Sequence, residues 1–594
     1  MYNNHIASGQ TVEGVGLYLA GGTTTINGQS QVIANAQRDV SSGSGGGIYN
    51  SGHLTIEEGS LISGNATLTD ASSGYSGAGI YNTGELLLND SRITNHFLDV
   101  GRGAGIFNTS TGTVIANRSE ISGNGVWISG DAGGIFNDGG IVELNYSELV
   151  RNNGGVASVG GAIVNLNGTL TLDHTTLTGN YVMGEGGGVY NADFDATLVI
   201  TNSYFVYNDA EEGGGAIWND SGTVLLENST FVGNHTEIGR AYGAAIRHES
   251  SIQKSSFLTV PIGINDTVIK VADESFLNGF GVTTARYERS LLSYQLPVDI
   301  LIGEEILTIT SIVQTGAGLE LKVERGRNGT SAQSHGTGSS LYLIGGGLTV
   351  SNSTFSDNTQ SAAYLGQTKI EFETKGGAVY SLTDIVVPRT IIESSTFTGN
   401  IADTGSHIWL GTFSTSDEVS SEFINVQHNV SRTYLRNNIF NNALRYPDFI
   451  PDPILDSNDV IPSERTVDIH GDFVSGGNNF VSVSSLGYTT LDAPDGIDPS
   501  VTSIEVDSIS SFPSQGNFDI RVWSQDGFAF EEMRVTEIDT LQVGNETRYL
   551  LAVVRGVNGT VALEHTDGAL VMHLDETLPL KPNDYYGVLE HPLD

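Results

Sequence analysis

The phrase GGGIYN, residues 45–50, returns along the chain every 26 to 32 residues, and this recurrence constrains the fold more than any other feature. Aligned on its aliphatic residue, it gives Leu17, Ile48, Ile80, Ile106, Ile135, Ile163, Val189, Ile217 and Ile246, then Val379 after a long gap. A second phrase follows each first one, as in LTLDHTTLTGN (170–180), LVITNSYFVYN (198–208), VLLENSTFVGN (224–234) and LTVSNSTFSDN (348–358). Apolar residues alternate with period two in runs too short for helices, so both phrases read as strands. Short strands at a fixed period, with neither hairpin spacing nor a helical pattern between them, predict an all-β parallel solenoid in which each rung stacks on the last. Ten or more rungs climbing about 4.8 Å each make a rod on the order of 50 Å long.

Comparing repeats within the chain assigns the faces. The aliphatic column holds only Leu, Ile and Val and belongs in the core. The next position, running Tyr18, Tyr49, Tyr81, Phe107, Phe136, Val164, Tyr190, Trp218, Arg247 and Tyr380, tolerates Arg and is expected to point outward. The Asn that follows (Asn50, Asn82, Asn108, Asn137, Asn165, Asn191, Asn219) alternates back inward, as do the Asn closing the second phrase (Asn124, Asn152, Asn180, Asn208, Asn234, Asn358, Asn400). Asn accepts left-handed turns, and its amide can bond the amides of the rungs above and below, so these columns are expected to be structural.

The phrases GGGIYN and GAIWN, with the Asn-Ser-Thr-Phe strand phrase, resemble the repeats of bacterial polymorphic outer-membrane proteins and related right-handed parallel β-helix surface proteins. RNNIFNN (436–442) with VDIHGDFVSGGNNFV (467–481) resembles the closing rungs of large secreted β-helix proteins. The resemblance covers some 350 to 400 residues. It implies a right-handed coil and an extracellular or cell-surface location; MYNNHIASGQ has neither the basic nor the apolar region of a secretion signal.

Two segments interrupt the coil. The expected division is coil over 1–258, a small β module over 259–344, coil again over 345–495, a second module over 496–575, and a return to the coil over 576–594. The modules resemble each other: RGRNGTSAQSH (325–335) answers RGVNGTVALEH (555–565), each with a His ten residues after the Arg. Similar Arg-Gly-x-Asn-Gly-Thr modules occur in bacterial surface and phage-tail proteins. Glu305, Arg325 and His335, with Glu532, Arg555 and His565, are candidates for a ligand or metal site. The competing reading is a strand-end salt bridge beside a turn whose Asn-Gly supplies positive φ.

Charge excludes some partners. The net charge is −42, with six Lys and none before Lys254, so there is no basic stripe to displace the counterions of a nucleic acid. Anionic membranes are disfavoured similarly, and no apolar run is long enough to span a bilayer. The absence of Cys removes disulfides, thiolate metal sites and Cys nucleophiles.

Glycoside hydrolysis needs two carboxyls facing each other across a groove, and the sequence offers no Asp-Asp pair. The best acidic set, Asp131, Glu185, Asp209, Glu211 and Glu212, lies in the turns before the glycine phrase on separate rungs, which suits solvated corners or a Ca²⁺ site. No other cofactor is expected. For binding, the outward column Tyr49, Tyr81, Phe107, Phe136, Tyr190 and Trp218 offers rings at rung spacing that would hold sugars or a partner chain, or stack on one another under a cover. The Asn-x-Ser/Thr sequons at Asn65, Asn89, Asn108, Asn228 and Asn352 arise from the repeat itself.

The ends read as open rungs without polar caps, so head-to-tail self-association or a longer parent chain is expected. The whole points to an extracellular structural or adhesive rod without catalysis, with glycans, surface proteins or further copies of itself as partners. The alternatives are a carbohydrate-binding or carbohydrate-active β-helix enzyme and a phage-tail-spike-like protein.

Overall fold

In the computed structural model the chain is all β, a right-handed parallel β-helix of about 11 turns with two antiparallel modules. The structure describes most of residues 4–587; the longer stretches outside the description are 69–74, 273–297, 384–389, 413–432, 446–463, 507–517, 524–529 and 575–584, with shorter gaps between.

Three long parallel sheets run along the coil. The first begins at Leu17–Leu19 and Ile48–Asn50 and holds 12 strands, the second begins at Thr23–Ile26 and His53–Ile56 and holds 12, and the third begins at Gln31–Ile33 and Leu61–Ser63 and holds 13. The glycine phrase builds the first sheet and the second phrase builds the other two. A fourth face is shorter and broken, with five strands ending at Gly125–Ser129 and four strands from Tyr181–Val182 to Thr359–Gln360. Register follows the repeat, residue on residue: Ile80 pairs with Ile48 and Ile106, and Asn82 with Asn50 and Asn108.

This register stacks like on like. The aliphatic column is fully buried from Ile48 through Ile246 to Val379 and Ile408, in one core that continues to Leu435. Phe205, Phe231, Phe355 and Phe397 form a run of parallel rings inside the third sheet, 4.6 to 4.9 Å apart. The first glycine of each phrase turns the corner: Gly45 has φ +69°, and a Cβ there would collide with the Ile48 carbonyl. Glycine meets both demands most easily, and one rung places Ala132 there at φ +58°.

Inside the coil the Asn columns form two continuous amide ladders. In the first, Nδ2 of each Asn donates to Oδ1 on the next rung, from Asn50 to Asn82 (2.8 Å) through Asn165 to Asn191 (2.7 Å) and Asn191 to Asn219 (2.6 Å). In the second, one Oδ1 takes both the backbone N–H and the Nδ2–H of the Asn below, as Asn180 does for Asn152 at 2.9 and 3.0 Å. These bonds satisfy backbone that the corners pull out of the sheets, and every ladder Asn named above is buried. A third ladder, of hydroxyls, runs beside them: the N–H groups of Ser91 and Ser119 donate to Oγ of Ser119 and Ser147 at 3.1 Å. The Ser of the second phrase thus has a structural task that its spacing alone does not disclose.

The second ladder crosses the first insertion without a break, Asn234 Nδ2 reaching Asn358 Oδ1 at 2.9 Å. The first module is a six-stranded sheet with antiparallel pairing, beginning at Ile252–Phe257 and closing at Ser340–Ile344; the second runs from Tyr488–Thr490 to Leu570–Leu574. The chain then rejoins the third sheet, Tyr585–Gly587 pairing with Phe480–Ser482. Phe194, on a coil corner, packs into the first module's core and ties module to coil.

Candidate functional site

The aromatic column points out of the coil, as its alternation demands, but most of it is not open to solvent. Tyr49 and Tyr81 are half-buried, while Phe107, Phe136, Tyr190 and Trp218 are buried in a satellite cluster with Ala132, Val159, Leu166 and Ala192. The rings stack on each other at 5.0 Å for Tyr18–Tyr49, 5.5 Å for Tyr49–Tyr81, 5.2 Å for Tyr81–Phe107 and 5.3 Å for Phe107–Phe136. Arg247 interrupts the column, its guanidinium 3.6 Å above Trp218 and its Nε bonded to Glu249 at 2.7 Å, and beyond it Tyr380 stacks on Trp409 at 4.6 Å. From Phe107 onward the column therefore follows the second of its two expected forms, rings stacked on one another under a cover. The segments leading into neighbouring glycine phrases cover these rings, and a cover made by loops leaves no period in the sequence.

Exposed rings occur elsewhere. Tyr204 lies on the outer side of the third sheet, Tyr207 at the corner after it and Tyr146 at the corner before it, all more than half exposed. Tyr146 stacks on His174 with centroids 4.4 Å apart. Both corners hold left-handed residues, Tyr146 at φ +52° and Tyr207 at +51°, where other rungs place residues as different as Asp90, Arg118, His174 and Asn202, or Gly123, Arg151 and Gly179. Trp127 lies on the fourth face, 70% exposed with an edge against Phe97.

The acidic candidates do not converge. Asp131 accepts the Val159 N–H at 3.1 Å and lies 3.7 Å from Arg102; Glu185 sits in the ladder between Val159 and Gly213. Asp209 meets His235 Nδ1 at 3.0 Å, and Glu211 accepts the Tyr181 hydroxyl at 2.6 Å. Glu212 is exposed, and its carbonyl takes a bond from Arg247. Among the described residues no three His, Asp or Glu side chains gather as a metal site. Asp209, Glu211 and Glu237 do share one face. Burial, then Asp209 and Glu211, hold the Glu237 carboxyl above its usual range, and burial with the Glu211 bond raises the Tyr181 hydroxyl.

In the first module Glu305 is buried and fully engaged. Its Oε1 accepts from Arg325 Nε at 2.7 Å and the Gly326 N–H at 3.1 Å, while Oε2 accepts from Arg325 Nη2 at 2.7 Å and the Gln333 N–H at 3.0 Å, with His335 Nε2 at 2.9 Å. Arg325 also donates to the carbonyls of Gly263, Asp266 and Gln333. Burial alone would raise the Glu305 pKa, but Arg325, the two backbone N–H groups and His335 bring it down to about 2. With every donor matched, the group is a clamp on the turn.

The second module repeats the clamp with one correction: the carboxylate is Glu531, not Glu532. Glu531 takes Arg555 Nε and Nη2 at 2.7 Å each and meets His565 at 3.2 Å. Glu532 bonds Arg521 at 2.6 Å, in the cross-strand position where the first module pairs Ile306 with Leu301. An apolar pair in one copy is thus an ion pair in the other, and two adjacent Glu misled the alignment by one residue. The turn residues expected to supply positive φ, Asn328–Gly329 and Asn558–Gly559, lie outside the described residues; Gly326 (+57°) and Gly556 (+63°) do supply it.

Two His belong to the ladders. His96 replaces Asn in the second, its Nδ1 accepting the Asn65 N–H at 3.1 Å while Nε2 faces the Ile62 carbonyl at 3.1 Å; His248 ends the first, taking Asn219 Nδ2 at 2.8 Å. Burial lowers the His96 pKa to about 4, against the two backbone bonds, so the ring is neutral. The sequons also divide: Asn65 and Asn108 are sealed in the ladders, while Asn228 and Asn352 are exposed.

The fold and these surfaces define a right-handed parallel β-helix protein carrying two related β modules. No family model matches the chain, and no curated protein matches it in sequence.

Proposed function

We propose that the chain is the rod of a surface-displayed or secreted structural and adhesive protein, of the bacterial kind its repeats resemble. The supporting observation is the single core that runs through the coil on both sides of the first insertion, with ladders that lock rung to rung. Such a coil grows by repetition and converts sequence into a long exposed side wall. Its acidic wall disfavours nucleic acid and anionic lipid.

Adhesion is assigned to the third sheet and its corners, where Tyr146, Tyr204 and Tyr207 present rings to solvent. Ring faces of this kind stack on sugar rings or on the apolar faces of a partner protein. The test is a glycan array and a cell-binding assay with wild type and Tyr204→Ser/Tyr207→Ser. The reading expects at least a tenfold loss of binding in the double variant, with Tyr190→Phe as a buried control that binds normally. Binding unchanged by the double substitution contradicts the assignment.

A further inference from the structure

We propose that the fourth face of the coil carries a Ser–His–Asp nucleophile site, formed by Ser361, His235 and Asp209, that acts on neutral or cationic activated esters. Asp209 and His235 occupy the same register position on successive rungs, directly after ladder residues Asn208 and Asn234. Asp209 Oδ1 lies 3.0 Å from His235 Nδ1, and His235 Nε2 lies 2.6 Å from Ser361 Oγ. Ser361 comes from the following rung, three residues past Asn358, and its N–H bonds the Thr236 carbonyl at 3.0 Å. A carboxylate only accepts, so it fixes the proton on Nδ1 and leaves Nε2 free to take the hydroxyl proton. This is the arrangement of nucleophile, base and orienting acid that activates a serine, recognised by geometry and not by order in the chain. Asp209 and His235 are each about a third exposed, so a substrate has access.

The steps balance with water as the only co-reactant. Ser361 Oγ bonds to the ester carbonyl carbon as its proton passes to His235 Nε2. The bond to the leaving oxygen then breaks, and that oxygen takes the proton from Nε2. Water attacks the acyl carbon, giving a proton to Nε2, and Ser361 leaves with it. Three neighbours set the substrate class. The Ser361 N–H is already committed to Thr236, so rate enhancement rests on base catalysis, about 10²- to 10⁴-fold, which suits esters with good leaving groups and not amides. Glu211 and Glu237 stand on the same face and repel anionic acyl donors.

The test treats the intact protein with a neutral fluorophosphonate and locates the adduct by mass spectrometry, then measures p-nitrophenyl acetate hydrolysis for wild type, Ser361→Ala, His235→Gln and Asp209→Asn. The expected result is an adduct on Ser361, formed at least 100-fold faster than on exposed Ser110, with His235→Gln slowing both reactions by about 100-fold. Labelling of Ser361 no faster than Ser110 overturns the proposal. So does rapid labelling that His235→Gln leaves unchanged, because the chain of bonds is then only a tie between rungs. Because the first readout needs no variant, it is independent of whether the substituted proteins fold.

Discussion

Replacing Asn180 with Ala removes four hydrogen bonds from one buried side chain. Its Oδ1 accepts from the Asn152 N–H and Nδ2, and its Nδ2 donates to the Leu149 carbonyl at 3.0 Å and to Asn208 Oδ1 at 2.9 Å. Asn152 Nδ2 keeps the Ile121 carbonyl and Asn208 Oδ1 keeps the Asn180 N–H, but the Asn152 N–H loses its acceptor inside the coil. An orphaned buried donor costs about 1–3 kcal/mol and each of the three further bonds about 1 kcal/mol net, so the expected loss is about 4–6 kcal/mol. Asn180→Asp keeps both acceptor roles but turns a carboxylate toward the Leu149 carbonyl and Asn208 Oδ1, so it is expected to be worse than Ala at neutral pH and to recover on acidification. Repeat coils unfold in stages, so urea melts belong with hydrogen exchange resolved by peptide. Protection is expected to fall first across residues 145–182, on either side of the broken step. A loss below about 0.5 kcal/mol with unchanged exchange there would refute the view that the ladder holds the corners.

Other substitutions follow from the same geometry. His96→Asn restores the majority residue of the ladder and is expected to remove an acid sensitivity. The folded ring has its pKa lowered to about 4 from an ordinary 6.5, so the unfolded chain binds the extra proton and stability falls as pH drops between those values, by an amount on the order of 3 kcal/mol. Thermal melts at pH 7 and pH 4 check the difference between the two proteins. Glu305→Gln leaves the buried Arg325 without its charge partner and is expected to cost the first module about 3–5 kcal/mol. Because the Glu305 pKa is depressed, its contribution is fully present above pH 4.5 and is lost as pH falls toward 2, and an acid titration of wild type against the variant reads this directly.

The coil was legible because it repeats. Ile48, Ile80 and Ile106 share one column in the sequence and one buried line in the structure, and Asn50, Asn82 and Asn108 form the inner ladder that inward alternation predicted. What escaped the sequence depends on contacts that do not repeat. Phe136 and Tyr190 look outward by parity, yet Val159 and Leu166 close over them. His96 and His248 resemble scattered surface His until register places them in the Asn columns. Glu531 and Glu532 are neighbours in the chain, and only the strand pairing distinguishes the turn clamp from the Arg521 partner. Ser361 meets His235 across an insertion that separates their rungs, so only counting positions from the ladder residues Asn234 and Asn358 brings them together.

A surface rod must be displayed outside the cell. Antibodies raised against the coil, applied to intact and to permeabilised source cells and read by immunogold electron microscopy, measure this directly. A displayed rod is expected to give labelling on the surface of intact cells, or of released material, with little gain on permeabilisation. Labelling that appears only after permeabilisation would contradict it.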